Sequence, residues 1–140
     1  MATTNGTRMA QLLATPIDYP DPGDVGGKLR VFNEEVLLAS QPIADIIRVG
    51  KLPKGARFIE GSLISTVSLG TATLKIGSTT SDAKYRAAAV HTTVDQPVLF
   101  GATAAVGVEL AAEETVIATI GTAALPASGT LRCILKYTID

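Results

Sequence analysis

Few side chains in this sequence are suited to chemistry, and the neighbours of each one constrain what it can do. His91 is the only histidine, in the run YRAAAVHTTVD with Asp95 four residues on. Such a pair serves as a general base when the two groups hydrogen-bond and a nucleophile stands within reach. On an extended strand they would share a face about 13 Å apart, at a rise of about 3.3 Å per residue. No nucleophile-elbow motif supplies a serine, and a metal-dependent site would require two or three histidines. His91 therefore reads as structural. Cys133, the single cysteine, alternates with Leu131 and Leu135. In that row it is a small buried hydrophobe, because a reactive thiolate needs an accessible, electropositive setting. It has no second cysteine for an intrachain disulfide or a cysteine-based metal site.

Asp18, Asp21 and Asp24 recur in DYPDPGD beside Gly23. Calcium loops gather carboxylates in glycine-containing segments, but the EF-hand places them at every second residue and adds a glutamate at position twelve. This run matches neither requirement and reads as a solvated, kinked segment. No phosphate-binding glycine motif is present, and IGSTTSDAK is better explained as a hairpin turn with Lys84 opening the next strand. The aromatic residues Tyr19, Phe32, Phe58, Tyr85, Phe100 and Tyr137 are dispersed. A stacking platform for single-stranded nucleic acid would group them on one face among cations, so most read as core. Neither a catalytic constellation nor a cofactor or metal site is expected.

The stretch KLPKGAR, residues 51–57, is the remaining candidate. Its cations suit an anionic partner, yet its residue types suit a tight turn between strands. Pro53 presets the φ of the second turn position, Lys54 suits the third, and Gly55 supplies a left-handed residue closing a bulged hairpin. With Asp45 and Glu60 nearby, a solvated rim is the plainer reading of the charges.

What positions these residues is a chain of 140 residues, long enough for one domain and one core. It is 46% hydrophobic and 18% charged with a formal net charge of -1, which suggests neither disorder nor binding to nucleic acid. The low charge leaves surface able to pack on other chains, which favours an assembly. The N-terminus lacks the basic and apolar regions of a secretory signal, and no apolar run is long enough for a membrane helix. The expected setting is the cytosol, with no membrane partner.

Residues 1–27 contain Pro16, Pro20 and Pro22 and read as an extended arm. Met9, Leu12 and Leu13 follow helical spacing, but a run so short is unstable without something to pack on. Residues 28–140 read as the domain proper, where the dominant period is two. In RFIEGSLISTV, residues Ile59, Gly61, Leu63, Ser65 and Val67 share a face, and in TATLKIG so do Ala72, Leu74 and Ile76. At the C-terminus Leu131, Cys133, Leu135, Tyr137 and Ile139 oppose Arg132, Ile134, Lys136 and Thr138. Further strands are expected at 28–33, 35–39, 43–50, 84–94, 97–100, 106–110 and 115–121, roughly nine or ten in all. Turn-rich clusters separate them. Many half-buried antiparallel strands must cover each other's apolar faces, so an all-β sandwich follows. A jelly roll suits the strand number, and an immunoglobulin-like sandwich lacks its cysteine and tryptophan landmarks.

The succession VGKLPKGARFIEGSLISTVSLGTATLKIGS, an alanine-rich strand, and ETVIATIGTAALPASGTLRCILKYTID resembles the capsid decoration, or cement, proteins of tailed bacteriophages. The shared features are the basic KLPKGA corner, the LGTATLKIG hairpin and the TIGTAALPASGTL turn into a final strand, over residues 43–140. The resemblance implies a jelly-roll sandwich, a homotrimer, seated on the outer capsid of a virion assembled in the host cytoplasm. It implies the major capsid protein as partner and contacts rather than catalysis as mechanism. The residues expected to touch capsid or neighbouring subunit are Met9, Leu12, Leu13, Ile17 and Tyr19 of the arm with Lys51, Lys54 and Arg57 of the corner. Two other readings stand beside it: a tail or head-completion protein, and a carbohydrate-binding module. The latter would rest on exposed aromatic platforms, which a chain without tryptophan lacks.

Overall fold

In the computed structural model, residues 2–20, 22 and 25–139 are described. Met1, Asp21, Gly23, Asp24 and Asp140 lie outside them, including two aspartates of the DYPDPGD run and the outer ends of the two expected segments. A six-residue helix, α1 (Thr7–Leu12), precedes eight strands: β1 (Lys28–Leu37), β2 (Ile46–Leu52), β3 (Arg57–Ser65), β4 (Thr73–Gly77), β5 (Arg86–Val90), β6 (Val98–Phe100), β7 (Glu114–Gly121) and β8 (Thr130–Ile139). They form two four-stranded antiparallel sheets, ordered β1-β8-β3-β6 and β2-β7-β4-β5. Four pairs, β1 with β8, β2 with β7, β3 with β6 and β4 with β5, make one long ribbon. Rolling that ribbon brings β8 against β3 and β7 against β4, which closes the two sheets. This is the jelly roll expected from the alternation.

The core is built as the period-two pattern requires. Leu131, Cys133 and Leu135 of β8 and Leu74 and Ile76 of β4 are buried, with Ala72 just before β4. Burial pushes the Cys133 thiol up to about 12, with the Glu34 charge adding to the effect, so at neutral pH it is an uncharged core atom.

Several expected strands differ from the observed ones. Segments 28–33 and 35–39 are a single strand, because Asn33 and Glu34 keep the ladder by pairing with Ile134 and Cys133. The strand expected at 43–50 begins only at Ile46, since Ala44 takes a φ of 73°, outside the extended region. That expected at 84–94 is confined to β5, and Lys84 lies in the connection before it rather than opening it. Residues 106–110 form no strand. Val106 closes a turn onto the Ala102 carbonyl, and only Glu109 makes a bridge, to Arg57.

The most consequential correction concerns β3. Its register slips between Phe58 and Glu60, so Ile59 is an extra residue in a β-bulge. The slip inverts the phase of the alternation: Phe58 is buried while Ile59 faces out. Gly61, Leu63 and Ser65 keep their inward face.

KLPKGAR is a corner but not a hairpin. The strands it joins, β2 and β3, belong to different sheets, so the turn carries the chain across the sandwich. The Ala56 amide donates to the Pro53 carbonyl at 3.1 Å, which makes Pro53 the first turn residue and Gly55 the third. Gly55 has a φ of 86°, the left-handed value this type of turn demands. The bulges sit within the flanking strands, between Arg48 and Gly50 in β2 and at Ile59 in β3, where strands bend to change sheets.

Beneath the corner Phe58 packs on Tyr85, with ring centroids 4.5 Å apart, and on Phe100 at 6.2 Å. Gly61 opposes Phe100 across the ladder, and a Cβ there would run into the Phe100 ring. Gly61→Ala is therefore expected to cost about 1–3 kcal/mol of stability by overpacking, measured by denaturant unfolding. Combined with Phe100→Leu the loss should be smaller than the sum of the two single losses. Full additivity would show that the ring does not constrain this position.

Candidate interaction surface

The segment before β1 places apolar side chains in solvent. Helix α1 has no buried residue, and the Ala10 amide donates to the Gly6 carbonyl at 2.9 Å to close its first turn. Met9, Leu13, Ile17 and Tyr19 are exposed, Leu13 at 60% and Tyr19 at 79%, while Leu12 is half-buried. Gln11 ties the segment to itself, its carbonyl accepting the Asp18 amide at 3.1 Å and its side-chain amide donating to the Asp18 carboxylate at 3.3 Å. Among the six aromatic residues only Tyr19 is exposed, which leaves no grouped platform for stacking on sugar or base.

The corner cations have three different fates. Lys51 pairs with Glu113 at 2.9 Å, both side chains 59% exposed, a contact of little energetic weight. Lys54, at the tip of the turn, is exposed. Arg57 is held instead: its side chain is only 11% exposed, donating to the Gly107 carbonyl at 2.9 Å and to the Glu109 carboxylate at 3.1 Å. Of the acidic neighbours noted in the sequence, Glu60 pairs with Lys136. Glu109 lies 52 residues beyond Arg57, Glu113 lies further still beyond Lys51, and no local pattern announces them.

The N-terminal segment nevertheless approaches the loop that Arg57 holds. Gly6, Thr7, Arg8 and Met9 line an open groove with Val106 and Gly107, and Gly107 is the residue whose carbonyl Arg57 engages. An adjoining depression is lined by Ile59, Glu60, Leu99, Phe100, Gly101 and Val106. Ile59 is here because of the bulge, and Leu99 stands 64% exposed on β6. These apolar residues escaped the sequence reading, since alternation alone assigns Ile59 to the core.

A second cluster joins the connection after β4 to the start of β7. The Tyr85 hydroxyl donates to the Glu114 carboxylate, and Lys84 donates to the other oxygen at 2.8 Å while standing 5.4 Å from the Tyr85 ring centre. Burial, with the Glu114 carboxylate second, pushes the Tyr85 phenol far above its ordinary value, so it stays a donor. This arrangement locks the aromatic column under the corner.

His91 follows β5 and is buried, and neither ring nitrogen has a hydrogen-bond partner among the described residues. The Asp95 amide donates to the Ser65 carbonyl at 2.8 Å, and no bond links Asp95 to the imidazole. Nearby Arg86 donates to the carbonyls of Leu74, Ala89 and Val90, spanning the register slip between β4 and β5. Among the described residues no His, Cys, Asp and Glu side chains group in threes as they would for a metal, and no helix is long and apolar enough to cross a membrane.

No protein-family model matches the chain, and no curated protein matches it in sequence. Solved structures share its fold. A chain in the capsid asymmetric unit of cyanophage Pam1 superposes with a TM-score of 0.69 at 22% identity, over 100% of each chain. One in the capsid of Ralstonia phage GP4 gives 0.65 at 20% identity, covering 81% of this chain and 86% of that one. Another, in the acidic stable capsid structure of Helicobacter pylori bacteriophage KHP30, gives 0.59 at 14%, over 79% and 87%. At such identities the likeness is one of fold.

Burial, followed by the Arg86 charge, holds the His91 pKa below its ordinary 6.5. The unfolded chain therefore binds this proton more readily than the folded one. Stability is lost as pH falls through the unfolded value of about 6.5 and stops falling below the folded value. Melting temperatures between pH 7.5 and 5 should accordingly drop less steeply for His91→Leu than for the wild type. Parallel curves would mean that His91 is protonated equally in both states.

Proposed function

We propose that the chain is a structural protein of a tailed-phage virion, a decoration protein that sits on the outer capsid as a homotrimer and stabilises the head. The observation that carries this reading is the fold likeness to a chain of the Pam1 capsid asymmetric unit over the full length of both chains. The contact mechanism fits the distribution of side chains. The sandwich is a rigid body with a closed aromatic core, while the arm offers Met9, Leu12, Leu13, Ile17 and Tyr19 without a core to bury them.

In this role the arm lies across the major capsid protein or a neighbouring subunit and orders there. Ordering costs conformational entropy, which is why a single arm binds weakly; linking three arms in a trimer raises the effective concentration of each. Lys54 at the tip of the corner is placed for an acidic capsid surface, with Lys51 released from Glu113 at little cost. Arg57 acts one step back, holding the loop at Gly107 against which the arm begins.

The test is reconstitution on expanded heads that lack the protein. The full chain should bind them and raise their disruption temperature. Deleting residues 1–27 should leave the far-ultraviolet circular dichroism of the sandwich intact and weaken retention on heads by about tenfold or more, the loss of at least 1.4 kcal/mol per site. A truncated chain that binds as well as the full one would remove the arm from the mechanism, and a full chain with no affinity for heads would remove the role.

A further inference from the structure

Of the four strands at the sheet edges, three are blunted against further pairing. Arg86 occupies the carbonyls of Ala89 and Val90 on β5. The β6 edge is three residues long and runs into the turn at 101–107. The ladder of β2 is broken by its bulge between Arg48 and Gly50. β1 is different. It is ten residues long, pairs with β8 without a register slip from Lys28 to Leu37, and lies at the end of its sheet. Such an edge is a template for another strand unless charges forbid it.

Its charges are of both signs and are distributed in a particular way. Arg30, Phe32, Glu34 and Val36 share the face turned to the core, where Val36 is buried and Phe32 packs against the core cluster. Leu29, Val31 and Leu37 stand exposed on the other face. Arg30 and Glu34 are equidistant from Phe32. Neither has an ion-pair partner among the described residues, Glu34 accepting only the Glu35 amide at 3.0 Å.

We infer that β1 is a self-complementary edge that pairs antiparallel with β1 of a second copy of this chain, about a two-fold axis through Phe32. Antiparallel partners must lie on the same face, so only registers joining residues of equal parity are allowed. Centring on Phe32 sets Arg30 opposite Glu34 twice, Phe32 opposite itself, and Val31 opposite Asn33. Centring on Val31 sets Lys28 opposite Glu34 but shortens the ladder and leaves Arg30 against Phe32. Centring on Asn33 sets Phe32 against Glu34 and uses Leu37, whose carbonyl already accepts the Gln41 side-chain amide at 2.9 Å. The charges that would exclude a foreign strand thus select this partner and this register. The two four-stranded sheets become one continuous sheet of twice the width. The contact does not depend on the capsid role, and in a trimer it would join one trimer to the next.

Native mass spectrometry across micromolar concentrations at low salt tests it. The wild type should form a particle of twice the mass of Arg30→Glu, whose association is at least tenfold weaker. The exchange Arg30→Glu with Glu34→Arg should restore the larger particle. A wild type no heavier than Arg30→Glu overturns the inference, as does an exchange variant that melts normally but stays small. Should the exchange variant fold poorly, a chain carrying Val31→Cys and Asn33→Cys decides. It should oxidise to a covalent dimer, whereas Leu29→Cys with Asn33→Cys should not, and the absence of that difference overturns the register. Head binding is read separately, so a failure here leaves the capsid role to its own test.

Discussion

The burial of Phe58 is the constraint on which most of the molecule depends. Its ring is the centre of the aromatic column with Tyr85 and Phe100, and its carbonyl accepts the Gly107 amide at 2.8 Å. To turn the ring inward directly after a change of sheet, β3 takes an extra residue, and the bulge that results expels Ile59. The corner is fastened from both sides: the Gly55 amide donates to the Leu110 carbonyl and the Leu110 amide to the Ala56 carbonyl, each at 2.9 Å. Arg57 then pins Gly107 and Glu109. One packing requirement thereby positions the corner, the loop against which the N-terminal segment begins, and an apolar depression on the outside.

The same packing decides which parts of the surface are fixed before any contact is made. The interior is fixed by aromatic packing and by Lys84 and Tyr85 on Glu114, so the contact surfaces do not need to be ordered when a partner arrives. The exceptions are the side chains of the N-terminal segment, which carry apolar area without burial. A rigid body that also presents unburied apolar side chains is suited to adding contacts to an existing assembly, as the proposed decoration role requires. Edge strands complete the division of labour, three of them closed to pairing and one whose charges admit a copy of itself.

Much of the fold was legible because burial on one face imposes a period of two. The rows at Leu131 to Ile139 and at Ala72 to Ile76 are read directly from the sequence, and enough such rows force a sandwich. The bulge at Ile59 was not legible, since a slip of one residue leaves no mark in residue type. Nor was the true nature of KLPKGAR, because its turn chemistry is the same whether the strands it joins lie in one sheet or two. The partners of its cations, Glu109 and Glu113, are joined to it only by the tertiary fold. The opposed charges at Arg30 and Glu34 were always in view, but they acquire meaning only once β1 is known to end a sheet.

The proposed decoration role is tested most directly by cryo-electron microscopy of phage heads reconstituted with the chain or purified with it. Many copies of the jelly roll should be distributed over the outer capsid surface, grouped in threes, with residues 2–20 ordered against capsid protein or a neighbouring copy. A few copies confined to the tail or a single vertex, or density on the inner surface of the shell, would contradict it.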